Sequence, residues 1–322
     1  MKITGRMDCT TFAKILSFLT LIQFVMCGIA PDPTTFFPDI KGNLTKIVWA
    51  HAVNSKANLT KALTADDIMM LEADVVLGHL TNSTNTNITI PIMAHPPETE
   101  SDLSLEEFLT SVLHNGTKGI KLDFKSIEAF DGSKSILADK RKEFIVPLFL
   151  NADILPGPVD AKTTPVDPTS FLDSAIKTFP DSVLSVGWTT RYGSESHITE
   201  GQYTEEQIQK MVDTLTKNKV AQSVTYPVRA GLAANDINVM KTLIDRSSSF
   251  SNATLTIWSS QGDKVDTNKL TELIKTIGID KVYVDVPEDV WSKLDLSNGS
   301  ATFNTAMMTM MTLISFLFAR ML

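Results

Sequence analysis

The chain has 322 residues, 37 of them acidic and 29 basic, for a formal net charge of −8 at pH 7. That balance lacks the basic footprint a nucleic-acid-binding protein needs, so no nucleic-acid partner is expected. Both cysteines, Cys9 and Cys27, lie near the N-terminus, which excludes a disulfide scaffold for the rest of the chain and leaves its own core to stabilise it.

Residues 1–30 carry Lys2, Arg6 and Lys14 ahead of the apolar run ILSFLTLIQFVMCGIA, which ends in small residues. This order reads as a secretory signal peptide, the run being short for a membrane span. Strand-like runs follow: KIVWAHAV (46–53), IMMLEADVV (68–76), ITIPIMAH (88–95), GIKLDFK (119–125), VPLFLNA (146–152), SVLSVGW (182–188), AQSVTYPV (221–228), ATLTIWSS (253–260) and KVYVDV (281–286). Helical spacing of apolar residues separates most of them, in SLEEFLTSVLHNG, DPTSFLDSAIKTF, TEEQIQKMVDTLTKN, NDINVMKTLIDRS and DTNKLTELIKTIG. The first of these opens on a Ser cap and stops at Gly116, a start and stop signature.

Between the second and third runs there is only the polar segment GHLTNSTNTN. If those two runs form a hairpin that extends one strand, eight parallel strands remain, the number for a (β/α)₈ TIM-like barrel. A doubly wound sheet would carry a Gly-rich phosphate loop after its first strand, and the sequence has none there. A single barrel over residues 40–292, with a β-hairpin extension after the second strand, is the expected fold.

The C-terminal stretch 293–322 places Asn298, Gly299 and Ser300 before a short polar segment and an apolar tail. That order resembles a glycolipid-anchor signal, with a single membrane span as the rival reading. Either one tethers the chain to the extracellular face of the plasma membrane. Seven Asn-x-Ser/Thr sequons, at Asn43, Asn58, Asn82, Asn87, Asn115, Asn252 and Asn298, agree with a secreted, glycosylated surface.

Barrel enzymes build their sites at the C-terminal ends of the strands, so polar residues late in the apolar runs are the candidates. They are His51 and Asn54, Glu72 and Asp74, His95, Lys121, Asp123 and Lys125, and Asn151 and Asp153. Glu72 and Asp74 are two apart in a strand, so their carboxylates share a face and repel each other. A hard divalent cation, Mg²⁺ or Ca²⁺, held by Glu72, Asp74 and Asp123 would relieve that repulsion. An ion network with Lys121 and Lys125 is the structural alternative. Beside such an ion, His51 and His95 suit acid and base roles, with Lys125, Lys121 and Asn54 placed for a phosphate or the rest of a substrate.

The order WAHAVNS, EADV, a strand ending in His, then KLDFK resembles the superfamily of glycerophosphodiester phosphodiesterases and sphingomyelinases D. That resemblance implies a barrel of the phospholipase-C-like phosphodiesterase type, His51 and His95 as acid/base or nucleophile, Glu72, Asp74 and Asp123 on the metal, and Lys125 on the phosphate. Nearly all of residues 40–292 is more similar to the menorin family, through VWAHAVNS, LEADV, PIMAHPPETESDLSLEEFL, GIKLDFKS, LNADILPGP, LSVGWTT and VTYPVRAG. The menorin resemblance implies a cell-surface recognition cue that acts with adhesion molecules or receptors in neurite and dendrite patterning. The alternative is a metal-dependent phosphodiesterase acting on a glycerophosphodiester or lysophospholipid.

Overall fold

The computed structural model describes residues 30–297 apart from 82, 85 and 86. The signal-peptide and anchor readings, and the sequons at Asn82 and Asn298, lie outside the described residues. Ten strands form one sheet: β1 (Trp49–Ala50), β2 (Met70–Leu80), β3 (Ile90–Met93), β4 (Glu100–Ser101), β5 (Gly119–Phe124), β6 (Leu148–Pro156), β7 (Val183–Thr189), β8 (Val224–Arg229), β9 (Ala253–Trp258) and β10 (Val282–Asp285). The path β1-β2-β5-β6-β7-β8-β9-β10 is parallel throughout and makes the eight-stranded barrel. β2 outruns the barrel, and its second half pairs antiparallel with β3, which is the hairpin expected from the polar GHLTNSTNTN segment. The two-residue β4, which pairs with the end of β2, is too short to leave a pattern in the sequence.

Helices cover the outside. The long ones are α1 (Lys56–Thr64), α2 (Leu105–Asn115), α3 (Ile127–Asp139), α4 (Pro168–Thr178), α5 (Glu205–Lys217), α6 (Ile237–Ser247) and α7 (Thr267–Ile277). Each begins at a Ser, Thr or Asp whose side chain accepts a backbone N–H of the first turn: Ser55, Ser104, Ser126, Asp167, Thr204, Asp236 and Asp266. These caps satisfy donors that have no partner within the helix, and so set where each strand-to-helix loop ends. Two helices, α1 and α3, were not legible as periodic runs. α1 buries only Leu59 and Ala62. In α3 the buried positions include Ser133, while Gly132 lets the helix approach β2, since a Cβ there would lie 3.1 Å from Leu77 Cδ2.

The barrel has a seam, because β1 and β10 share no strand ladder. At its N-terminal end the seam is bridged by the Leu44 N–H donating to Ile279 O (2.8 Å). Trp49, Phe149 and Tyr283, from β1, β6 and β10, meet edge to face with ring centroids 5.6–6.1 Å apart. They plug the floor of the barrel. The C-terminal end is left polar, and β7 and β8 pair only through Leu184–Val224 and Ser185–Thr225. Pro227 has no N–H to continue that ladder, which ends below the mouth although Gly187 and Pro227 stay close together.

Between barrel and helices the densest aromatic contact joins Phe130 of α3 to Phe124 of β5 (4.9 Å) and Phe171 of α4 (4.7 Å). Phe130 is fully buried. Phe130→Ala is expected to cost about 3–5 kcal/mol of unfolding free energy in denaturant titration. A loss below about 1 kcal/mol would show that this layer does not hold α3 and α4 to the barrel.

Candidate metal centre

The inward face of each strand delivers one layer of the site. Register pairs Glu72 with Lys121 and Asp74 with Asp123 across β2 and β5, Asp123 with Asn151 on β6, and Asn151 with Ser185 on β7. A hydrogen-bonded line follows this row: Ser185 Oγ donates to Asn151 Oδ1 (2.5 Å), and Asn151 Nδ2 donates to Asp123 Oδ1 (2.5 Å). From the other side Asn54 Nδ2 donates to Asp74 Oδ2 (2.7 Å), and the Asp74 N–H returns a bond to Asn54 Oδ1 (2.9 Å). Lys125 Nζ sits between the two aspartates, 2.7 Å from Asp74 Oδ1 and 2.5 Å from Asp123 Oδ2. Lys121 lies deeper, buried, with its ammonium 5.8 Å from the centroid of the Trp49 ring in the floor plug.

His51 follows β1 and closes the seam at the mouth. Its Nδ1 lies 2.8 Å from Asp285 Oδ2 at the end of β10, and 3.6 Å from Glu72 Oε2. With Nδ1–H donating to Asp285, the other ring nitrogen, Nε2, is the one left for a ligand. The ring is half-exposed, whereas Glu72 and Asp285 are buried. The next residue, Ala52, has a left-handed backbone at φ 53, a conformation that costs an alanine roughly 1 kcal/mol. That turn aims the Ala52 N–H at Glu72 Oε2 (2.8 Å), so the strained backbone supplies one of the donors on the buried carboxylate.

Electrostatics here are set by burial against close countercharge. The Glu72 carboxylate, together with Asp285, lifts the His51 pKa to about 9, so the ring is cationic at neutral pH. Burial raises Glu72, with further upward pressure from Asp74 and Asp123. Burial also works against ionising Asp123, but Lys125 and Lys121 overcome it and hold that group below the usual carboxylate range. Desolvation likewise opposes a charged Lys125, yet Asp123, Asp74 and Glu72 keep it firmly protonated. Asp153, half-buried and facing Asp123, is pushed up to about 7, chiefly by desolvation.

One carboxylate oxygen from each of Glu72, Asp74 and Asp123 lies within 4.8 Å of the others. Three hard oxygen donors at that spacing can hold a metal ion, and a hard dication takes six or more ligands, leaving positions for water and a ligand's own oxygens. The count of groups agrees. The carboxyl groups of Glu72, Asp74, Asp123 and Asp285 outnumber the three basic side chains beside them, His51, Lys121 and Lys125.

Of the residues read from the sequence, His51, Asn54, Glu72, Asp74, Lys121, Asp123 and Lys125 come together here. His95 stands apart: exposed after β3, its Nδ1 lies 2.7 Å from Pro96 O rather than against a carboxylate. It lines a cleft of about 380 Å³ that also reaches Asn54 and Ser101, and so meets the centre through Asn54. Asp285 was not among the candidates. It stands last but one in KVYVDV, as Asp123 stands third from the end of GIKLDFK, and the same rule carried to the last run would have found it. The Ala52 N–H has no sequence signal, because a left-handed alanine looks like any other.

A family model described as the Menorin N-terminal domain matches residues 43–291. The human protein FAM151B is 37% identical over 243 residues, spanning 76% of this chain and 83% of that protein. Among solved structures, a glycerophosphodiester phosphodiesterase from Parabacteroides distasonis aligns at TM-score 0.43 and 14% identity, covering 78% of this chain and 97% of that one. The GH26 domain of an endo-β-mannanase/endo-β-glucanase from Prevotella bryantii aligns at 0.46 and 8%, covering 85% and 97%. At such values neither bears on the chemistry of the site.

The His51 assignment can be checked directly. A histidine whose folded pKa is raised adds stability that is complete below its ordinary value of 6.5 and is lost as pH rises through about 9. An NMR titration of the ring is expected to give a midpoint near 9, lowered in Asp285→Asn and lowered further in Glu72→Gln. A midpoint near 6.5 in the unaltered protein, insensitive to both changes, would contradict the geometry.

Proposed function

The chain belongs to the menorin family, and from that premise we propose that its barrel mouth is a divalent-cation centre that cleaves phosphodiesters at the outer cell surface. The observation that carries this reading is the coincidence of two arrangements in one mouth. A three-carboxylate cluster has the spacing of a metal site, and beside it stands a half-exposed, cationic histidine oriented by a buried aspartate. Hard donors favour Mg²⁺ or Ca²⁺ over softer metals. Glu72, Asp74 and Asp123 would hold the ion, and bound there it supplies Lewis-acid polarisation of a phosphoryl oxygen.

The chain's own groups supply the rest. Lys125 carries the positive charge that a non-bridging phosphoryl oxygen needs, and Lys121 adds to the field from below. As an incoming water forms its bond to phosphorus, the bond to the departing alcohol breaks and protonated His51 donates its Nε2 proton to that alcohol's oxygen. Left neutral, the ring takes up the proton the water has released, and the cycle closes. Asp285 fixes the tautomer and steadies the imidazolium, the role a carboxylate plays behind any acid/base histidine. His95, in the adjoining cleft, is the second acid/base candidate and lies on the side where a longer substrate would leave the mouth.

Surface recognition remains a second reading within the family. The sequons at Asn58, Asn87, Asn115 and Asn252 are exposed and that at Asn43 half-buried, which supports a glycosylated, secreted chain. Adhesion molecules or receptors would be its partners, with the C-terminal anchor holding it at the membrane. A cue of that kind needs an intact barrel but no ionised His51.

The purified protein is expected to hydrolyse bis(p-nitrophenyl) phosphate with Mg²⁺ or Ca²⁺, to lose that turnover to a chelator, and to recover it on adding the ion back. His51→Gln should lower kcat by about 10²–10⁴, and Glu72→Gln should remove the response to metal. Turnover that survives chelation, or no turnover with either ion, would overturn the enzymatic reading.

A further inference from the structure

Each aspartate of the cation centre has one oxygen committed to an amide. Asp74 Oδ2 accepts from Asn54 Nδ2, and Asp123 Oδ1 accepts from Asn151 Nδ2. The amides are themselves fixed, Asn54 Oδ1 by the Asp74 N–H and Asn151 Oδ1 by the Ser185 hydroxyl. The oxygens free of amides are Asp74 Oδ1 and Asp123 Oδ2, and Lys125 Nζ takes both, at 2.7 Å and 2.5 Å. A cation bonded to those two oxygens at roughly 2.0–2.6 Å would stand within about 5 Å of the ammonium, two like charges on one pair of ligands. Only the side chain of Lys125 can give way. Its backbone N–H donates to Val75 O (3.1 Å), and the next residue, Ser126, caps α3. The side chain is 22% exposed, which gives the ammonium a way into the mouth. Lys121 has no such way, being buried with its ammonium against the Trp49 ring.

We propose that Lys125 is a built-in competitor for the cation seat: a divalent ion takes Asp74 Oδ1 and Asp123 Oδ2 from its ammonium, a phosphate oxygen receives that ammonium, and ion and phosphate therefore bind this mouth cooperatively. This competition presupposes the cation and phosphodiester reading of the same mouth and adds how the two ligands depend on each other. An ion arriving alone has to part Lys125 from two carboxylates with nothing to replace them. A phosphate arriving alone meets an ammonium already engaged by two aspartates, and carboxylates that repel it. Together each removes the other's obstacle. A phosphodiester has two non-bridging oxygens, one for the ion and one for Lys125, and the carboxylates that the ammonium leaves are taken up by the ion. The coupling is reciprocal, because the factor by which phosphate tightens the ion is the factor by which the ion tightens phosphate.

The test is calorimetric titration of the purified protein with Mn²⁺, alone and in saturating dimethyl phosphate, a diester whose methoxide leaves too poorly for it to be consumed meanwhile. In the unaltered protein dimethyl phosphate should tighten Mn²⁺ binding about tenfold. Lys125→Met should bind Mn²⁺ alone about tenfold more tightly than the unaltered protein, and its response to the diester should fall below about twofold. Lys125→Arg, which keeps a cation on the two aspartates, should keep both the weaker affinity and the coupling. A Mn²⁺ affinity in the unaltered protein that is the same with and without the diester overturns the inference, whatever the variants do. So does Lys125→Met protein that melts as a folded chain and binds Mn²⁺ no more tightly. Either result leaves the cation centre standing. If the unaltered protein binds no Mn²⁺ under either condition, the centre itself falls, and this inference with it.

Discussion

Two carboxylates, Glu72 and Asp74, share one face of one strand inside a protein, and both are buried. Removing such charges from water costs several kcal/mol each unless countercharge and hydrogen bonds replace the lost hydration, and most of the polar structure of the barrel mouth answers that demand. Asn54 gives Asp74 a donor from the loop after β1. Ala52 takes up a strained backbone to direct its N–H at Glu72. Lys125 reaches up from β5 to bridge Asp74 and Asp123, and His51 becomes cationic because Glu72 and Asp285 surround it. Each response leaves a polar group fixed in the mouth, and fixed polar groups are what a reactive site requires.

The barrel frame explains why so much charge can be concentrated at one end. Trp49, Phe149 and Tyr283 seal the floor, so the stability of the fold is carried by the plug and by the helix-facing core. The mouth can then hold groups that serve binding. The seam between β1 and β10 joins the two functions. It has no strand ladder, and it is held below by the plug and above by the hydrogen bond between His51 and Asp285. The residue that completes the barrel at its mouth is thus the residue best placed to move a proton.

Much of this was legible in the residues. Strand periodicity and helix caps marked the barrel, since a strand buried on both faces reads as an apolar run and each helix begins at a capping side chain. The period-two spacing in LEADV and KLDFK marked the carboxylates and lysines, because alternation leaves no other face for them. Other features follow from tertiary geometry. The left-handed Ala52 and the early end of the β7–β8 ladder depend on how strands meet across the barrel, and a glycine in LSVGWTT looks like any strand glycine until Pro227 and Asp153 are seen against it. The helices α1 and α3 stayed hidden for a related reason: α1 buries only Leu59 and Ala62, and in α3 Gly132 and the buried Ser133 interrupt the apolar period that Phe130 and Leu137 would otherwise show.

The central claim is that the carboxylates of Glu72, Asp74 and Asp123 form a cation site. Its most direct test is a crystal structure grown with Mn²⁺, which scatters anomalously and can stand in for Mg²⁺. The account predicts one anomalous peak bonded to an oxygen of each of the three carboxylates at roughly 2.0–2.6 Å. Density without that peak, with Lys125 still seated on both Asp74 and Asp123 at saturating ion, would contradict it.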